Sequence, residues 1–275
     1  MVYLILAIFS SAMVSILMRL SEGKIQYNLG MLAVNYGMCA LLGAWNAQLQ
    51  AGLPGLTATG IFGGINGVLY LVSFVLVQEN VRRSGVMLPA TFMKLGLLVT
   101  MVVSVCIYGE IPGIWETLGF VLAVVAIVLI NYNKEGGASK FRFGLVALLL
   151  CGGMADAMSK IFEESGPAGM GDSFLFFTFA TALVLCILWM VRKGQRAGKR
   201  ELVFGLLVGI PNFYSSRFLL GALARISAVI AYPAYSVGTI LVVTVSGMLF
   251  FRERLTKRQG VALALILAAL VLLNV

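Results

Sequence analysis

The chain predicts an all-α membrane protein with ten transmembrane helices arranged as two inverted five-helix repeats. Three observations carry this prediction: its composition, the length of its apolar runs and an internal repeat. Of the 275 residues, 60% are hydrophobic and only 11% are charged, and the mean hydropathy is +1.00. Soluble domains use about 45–50% apolar and about 25% charged residues. A soluble core is excluded, because it would leave much of this apolar surface in water. Runs of about 20 apolar residues recur, each long enough to cross about 30 Å of hydrocarbon at about 1.5 Å per residue. Inside a bilayer every backbone polar group has to be satisfied within the protein, so such runs are helices, and the alternating pattern of a β-barrel is absent.

Taken in order, the runs cover residues 2–19, 29–47, 57–77, 84–107, 113–132, 143–162, 172–191, 202–222, 227–250 and 257–275. The first lacks the basic n-region and small-residue cleavage site of a signal peptide, and is expected to be retained. The third carries Gly60, Gly63, Gly64 and Gly67 at small-xxx-small spacing, which lets a neighbouring helix approach closely. The fourth contains Pro89 and, near its middle, Lys94. The sixth ends with Asp156 and Lys160, spaced i, i+4 for a local salt bridge. The seventh opens on the aromatic stretch Phe174 to Phe179, expected to face lipid or the interface. The eighth holds Asn212 and Arg217 and is expected to kink or break at Pro211, which removes one backbone donor. The ninth begins near Pro233. Cys39, Cys106, Cys151 and Cys186 fall inside the runs without CxxC pairing, so they read as packing residues and suggest neither disulfides nor a metal site.

The net charge of +9 is a topology signal and does not indicate a nucleic-acid partner. Sixteen of the 20 basic residues follow odd-numbered runs: Arg19 and Lys24; Arg82 and Arg83; Lys134, Lys140 and Arg142; Arg192, Lys193, Arg196, Lys199 and Arg200; Arg252, Arg254, Lys257 and Arg258. Lys and Arg in short loops mark the cytoplasmic face. The expected protein is therefore a multi-pass protein of the cytoplasmic (inner) membrane with both termini outside the cytoplasm.

The internal repeat spans about 143 residues. Pro89-Ala-Thr-Phe-Met-Lys94 through Tyr108-Gly-Glu110 and Asn131 parallels Pro233-Ala-Tyr-Ser236 through Phe251-Arg-Glu253 and Asn274. Gly64-Ile-Asn66 and Tyr70 correspond more loosely to Gly209-Ile-Pro-Asn212 and Tyr214. The expected organisation is a first five-helix repeat over 1–133, a cytoplasmic linker over 134–142 and a second repeat over 143–275. An odd number of crossings inverts the second copy, an arrangement suited to alternating access.

With the Pro-bearing fourth and ninth runs, Tyr-Gly-Glu110 and Phe-Arg-Glu-Arg-Leu-Thr-Lys-Arg-Gln259, the chain resembles the drug/metabolite transporter superfamily in its EamA-like branch. The Glu-Arg-Leu-Thr-x-x-Gln pattern before the last run is the more specific part. The resemblance covers essentially the whole chain. It implies a monomeric or homodimeric carrier whose central cavity is walled by runs 1, 3, 4, 6, 8 and 9, driven by a gradient or by exchange. Many relatives are described with both termini in the cytoplasm, and the charges of this chain argue against that arrangement here.

Charges inside apolar runs are costly and point to a site. Lys94 stands too deep to reach either surface, and some carriers of the superfamily have a lysine on the corresponding helix. It reads as a substrate contact for a carboxylate or phosphate, or as one half of an ion pair with Asp156. Arg217 lines the cavity or reaches toward the surface. With no histidine in the chain, any coupled proton would have to use a carboxylate, and Asp156 is the deep one. Asn66 and Asn212, with Tyr70 one turn from Asn66, read as polar walls or as interhelical hydrogen bonds. Glu110 and Glu253 read as helix-terminus or loop partners of nearby basic groups.

The expected substrate-binding set is therefore Lys94, Asn66, Tyr70, Asn212, Arg217 and Asp156. The chain has no HExxH, no GxSxG and no clustered acidic motif, so no catalytic residue, metal or cofactor is expected, and an enzyme is disfavoured. The expected function is secondary transport of a small organic metabolite with an anionic group, such as an amino acid or organic acid. The alternative is export of cationic or aromatic amines held through Asp156. The expected partners are that substrate and the lipid bilayer. Coupling to a proton or to an exchanged substrate is left open.

Overall fold

The described residues form eleven α-helices: α1 (Val2–Ser21), α2 (Asn28–Asn46), α3 (Leu56–Ser84), α4 (Met87–Lys94), α5 (Leu97–Tyr108), α6 (Ile114–Asn131), α7 (Phe143–Ser165), α8 (Gly171–Arg192), α9 (Lys199–Leu223), α10 (Ala228–Phe251) and α11 (Lys257–Leu272). The computed structural model describes residues 2–47, 49, 53–108, 113–131, 143–223, 228–252 and 257–272, and among these there is no strand. The predicted linker 134–142 and the acidic residues Glu110 and Glu253 lie outside the described residues. By length and composition, α1, α3, α7, α8, α9 and α10 can each cross a membrane.

The fourth predicted run is not continuous, because α4 ends at Lys94 and α5 starts at Leu97. Between them the ladder tightens to i→i+3 bonds, Gly96 N to Met93 O at 3.2 Å, Leu98 N to Leu95 O at 3.0 Å and Val99 N to Gly96 O at 2.8 Å. Such a 3₁₀ stretch inside a helix is a common hinge geometry. The cause is close packing on α7. A Cβ on Gly96 would lie 2.7 Å from Gly153 N, and one on Gly153 would lie 2.5 Å from Gly96 O. Two glycines facing each other thus bring the two backbones into contact.

Of the kink or break expected at Pro211, the break does not occur, since α9 runs from Lys199 to Leu223 with the proline inside it. Losing one donor leaves the rest of the ladder intact. Helix α3 runs seven residues beyond its predicted end. Beyond the apolar run Glu79 and Arg83 form an i, i+4 salt bridge at 2.6 Å, and the Asn80 amide donates to Leu76 O at 2.7 Å and Gly144 O at 3.1 Å. Polar side chains that find partners do not end a helix. The end comes at Gly85, whose φ of 77° suits glycine.

Helix α8 also departs from expectation, because Phe174 and Phe179 are buried rather than facing lipid. The glycines of α3 explain this. A Cβ at Gly63 would lie 3.0 Å from Phe174 O, and one at Gly67 would lie 2.5 Å from Thr178 O. With the backbones this close, the α8 aromatics turn inward, and Phe174 stacks on Phe162 of α7 with ring centroids 4.3 Å apart. Helices in lipid gain little hydrophobic drive from associating, so this close packing supplies much of the cohesion.

The main helix contacts have counterparts when the two halves of the chain are exchanged. Packing of α1 on α9 has its counterpart in α7 on α3, α2 on α9 in α8 on α3, and α1 on α10 in α7 on α4 and α5. The pairs α2 with α8, α6 with α11 and α4 with α10 map onto themselves. At one end of the bundle, Glu201 ties the start of α9 to the α1–α2 connection. Its Oε1 accepts from the backbone N–H of Gln26 at 2.6 Å and of Tyr27 at 3.1 Å, and its Oε2 accepts from Gly198 N–H at 3.1 Å.

Candidate functional site

Lys94 is the last residue of α4, where the carbonyl end of the helix favours a cation. It is 9% exposed, and its Nζ lies 3.7 Å from the centroid of the Tyr235 ring on α10. A desolvated cation–π contact of this kind is worth about 2 kcal/mol. The Tyr235 hydroxyl shares a hydrogen bond with Ser215 Oγ at 3.0 Å. A cation, an aromatic shelf and a hydroxyl therefore come together from α4, α10 and α9.

These groups line a cavity of about 70 Å³ between α1, α3, α4, α7, α9 and α10. Asp156 of α7 lines the same cavity, as do Tyr70 and Phe74 of α3, Asn212, Ser215 and Ser216 of α9, and Ser11 and Ser15 of α1. Among the described residues no ion pair joins Asp156 to Lys94 or to Lys160, and the charged neighbour whose field reaches Asp156 is Lys94. The expected Asp156–Lys160 bridge is therefore absent. Asp156 turns to the cavity although Lys160 stands one helical turn away.

A polar network secures the wall behind the cavity. Tyr70 OH shares a hydrogen bond with Ser216 Oγ at 3.1 Å, and Tyr36 OH donates to Tyr70 O at 3.1 Å. The Asn212 amide donates to Asn35 Oδ1 at 3.2 Å and approaches Cys39 Sγ at 3.6 Å. The Cys39 thiol in turn donates to Gly209 O at 3.3 Å. One side of Asn212 faces the cavity while its amide fastens α9 to α2.

Of the six residues expected at the site, Lys94, Tyr70, Asn212 and Asp156 line one cavity and two do not. Asn66 is fully buried one turn before Tyr70, and neither of its amide atoms has a hydrogen-bond partner. Arg217 points elsewhere, with its Nε 3.2 Å from Asp172 Oδ1 and its Nη2 3.5 Å from Asp172 Oδ2. On α9 the cavity face is Asn212, Ser215, Ser216 and Leu219, and Arg217 falls off that stripe toward the first turn of α8. There Asp172 suits both the arginine and the positive helix end.

Sequence reasoning missed Tyr235, Ser11, Ser15, Ser215, Ser216 and Thr239. Tyr235 was visible only as part of the repeated Pro-Ala motif. The i, i+4 spacing of Ser11 and Ser15 was the one signal on α1. Both serines line the cavity.

Comparison with known proteins gives a family match over the second half of the chain. Residues 142–275 match the model of the EamA-like transporter family. An uncharacterized protein of Haemophilus influenzae is 23% identical over 210 residues, covering 74% of this chain and 72% of its own length. A solved crystal structure superposes with a TM-score of 0.65 at 15% identity, covering 98% of this chain and 94% of the other. That likeness shows the fold.

Proposed function

We propose that the chain, whose residues 142–275 match the EamA-like transporter family, is a transporter of small molecules that carries a small organic metabolite with an anionic group. An amino acid or organic acid fits this description. The observation that carries the reading is Lys94, a cation at the end of a broken helix that lines the cavity without an ion-pair partner among the described residues. A charge in such surroundings is expensive to keep and is normally retained for a ligand or a relay. The serine hydroxyls and Asn212 supply hydrogen bonds for a polar solute. Asp156 can accept the ammonium of an amino acid or carry a coupling proton. Helix packing that survives exchange of the two halves supports alternating access by rocking of inverted repeats about the cavity. The inner membrane is the proposed location. The second reading, export of a cationic or aromatic amine, is favoured by Asp156 together with the rings of Tyr70 and Phe74.

A thermal-stability screen of the purified protein tests this. A ligand present at 100 times its Kd adds about 2.7 kcal/mol to the folded state. Amino acids, organic acids, phosphorylated metabolites, nucleosides and amines form the panel. Stabilisation by an anion that disappears in Lys94→Ala is the expected result. Stabilisation by amines alone, lost in Asp156→Asn and kept in Lys94→Ala, would replace the anion reading with the amine one.

A further inference from the structure

Resting on the reading of Lys94 as the anion contact, we propose that Tyr235 is the positioning residue of the site, its ring holding the Lys94 ammonium off Asp156. The cavity then presents two separated charges instead of one internal ion pair. Lys94 and Asp156 line the same small cavity, where low dielectric makes opposite charges attract strongly. A lysine has a long flexible stem, so the ordinary outcome is a contact pair. No such pair forms, and the ammonium sits 3.7 Å over the Tyr235 ring, well inside the range of about 6 Å for this interaction.

The shelf itself is held firmly. Tyr235 is buried, its hydroxyl is fixed by Ser215 at 3.0 Å, and its carbonyl accepts from Thr239 Oγ1 at 2.7 Å. Tyr70, the other titratable side chain in the field of Asp156, is engaged by Ser216. Lys94 and Tyr235 also come from corresponding segments of the two halves, the Pro89-Ala and Pro233-Ala motifs. The cation comes from one half and its support from the other. An arriving anion meets an ammonium whose opposite side rests on a ring, and no internal salt bridge has to break before it binds.

The test compares wild type, Tyr235→Phe, Tyr235→Leu and Tyr235→Leu/Asp156→Asn, with thermal stabilisation by acetate as the probe of the cationic locus at fixed ionic strength. Tyr235→Phe keeps the ring and is expected within threefold of the wild-type acetate midpoint. Tyr235→Leu is expected to weaken it at least tenfold, because Lys94 falls onto Asp156. Adding Asp156→Asn is expected to restore it. Tyr235→Leu binding acetate like wild type, or no recovery in the double variant, would overturn the proposal. A ligand-free cycle on the same proteins stands independently. Asp156→Asn is expected to shift unfolding by several degrees more in the Leu background than in wild type, and equal shifts would overturn the role of Tyr235. If acetate fails to stabilise wild type, the anion reading fails and the ligand-free cycle alone decides. Should Tyr235→Leu not fold, Tyr235→Met removes the ring at similar volume and serves in both arms.

Discussion

At the scale of single residues, the deep charges were the legible part of the site and their partners were not. Lys94 stands out because an ammonium in an apolar run has no inexpensive explanation. Tyr235 and the serines do not stand out, because aromatic and hydroxyl residues are ordinary in membrane helices and only the fold shows which of them meet. Arg217 illustrates the same limit, since its partner Asp172 lies 45 positions away on another helix. Both side chains of that pair are about one-third exposed, so it contributes only about 0–1 kcal/mol. Arg217→Gln is therefore expected to lower the unfolding temperature by about 1–3 °C and to leave any Lys94-dependent ligand stabilisation intact. A tenfold loss of ligand affinity in Arg217→Gln would return this residue to the cavity.

At the scale of elements, hydropathy located the helices well because lipid permits little else, and α3 ran past its apolar stretch where polar residues found partners, as at Asn80. Interruptions were harder to read. Pro211 was the obvious breaker and α9 runs through it, whereas the break falls at Gly96, an unremarkable glycine in an apolar run. Its cause is Gly153, 57 positions away, so no local pattern could reveal it. The contact makes a contrast between glycines measurable. A Cβ on Gly153 meets Gly96 O at 2.5 Å and Val99 Cβ at 2.6 Å, while one on Gly60 meets only the Phe177 ring at 3.8 Å. Gly153→Ala is expected to cost about 1–3 kcal/mol through overpacking. Gly60→Ala is expected to be neutral or to gain up to about 1 kcal/mol from a less flexible unfolded chain. Thermal unfolding in one detergent compares them, and equal effects would remove the α5–α7 contact as the cause of the break.

For the whole molecule, the main helix-packing pairs have counterparts when the two halves of the chain are exchanged. Which end of the bundle faces the cytoplasm is a question of charge. The α1–α2 and α8–α9 connections meet at one end, where Arg200 donates to Lys24 O at 3.2 Å and Glu201 holds Gln26 and Tyr27. That end gathers Arg192, Lys193, Arg196 and Lys199 as well. The α7–α8 connection, with Ala168 exposed, holds no Lys or Arg over residues 161–171. From the bias of Lys and Arg toward the cytoplasm, the Ala197 loop is expected inside and the Ala168 loop outside. Single cysteines at these two exposed positions, in a chain whose four native cysteines are replaced, make the assignment testable with an impermeant thiol reagent. Ala168→Cys is expected to react in intact cells and Ala197→Cys only after lysis. The reverse pattern would invert the molecule in the membrane, turning the end that Glu201 staples outward and exchanging which access path opens to the cytoplasm.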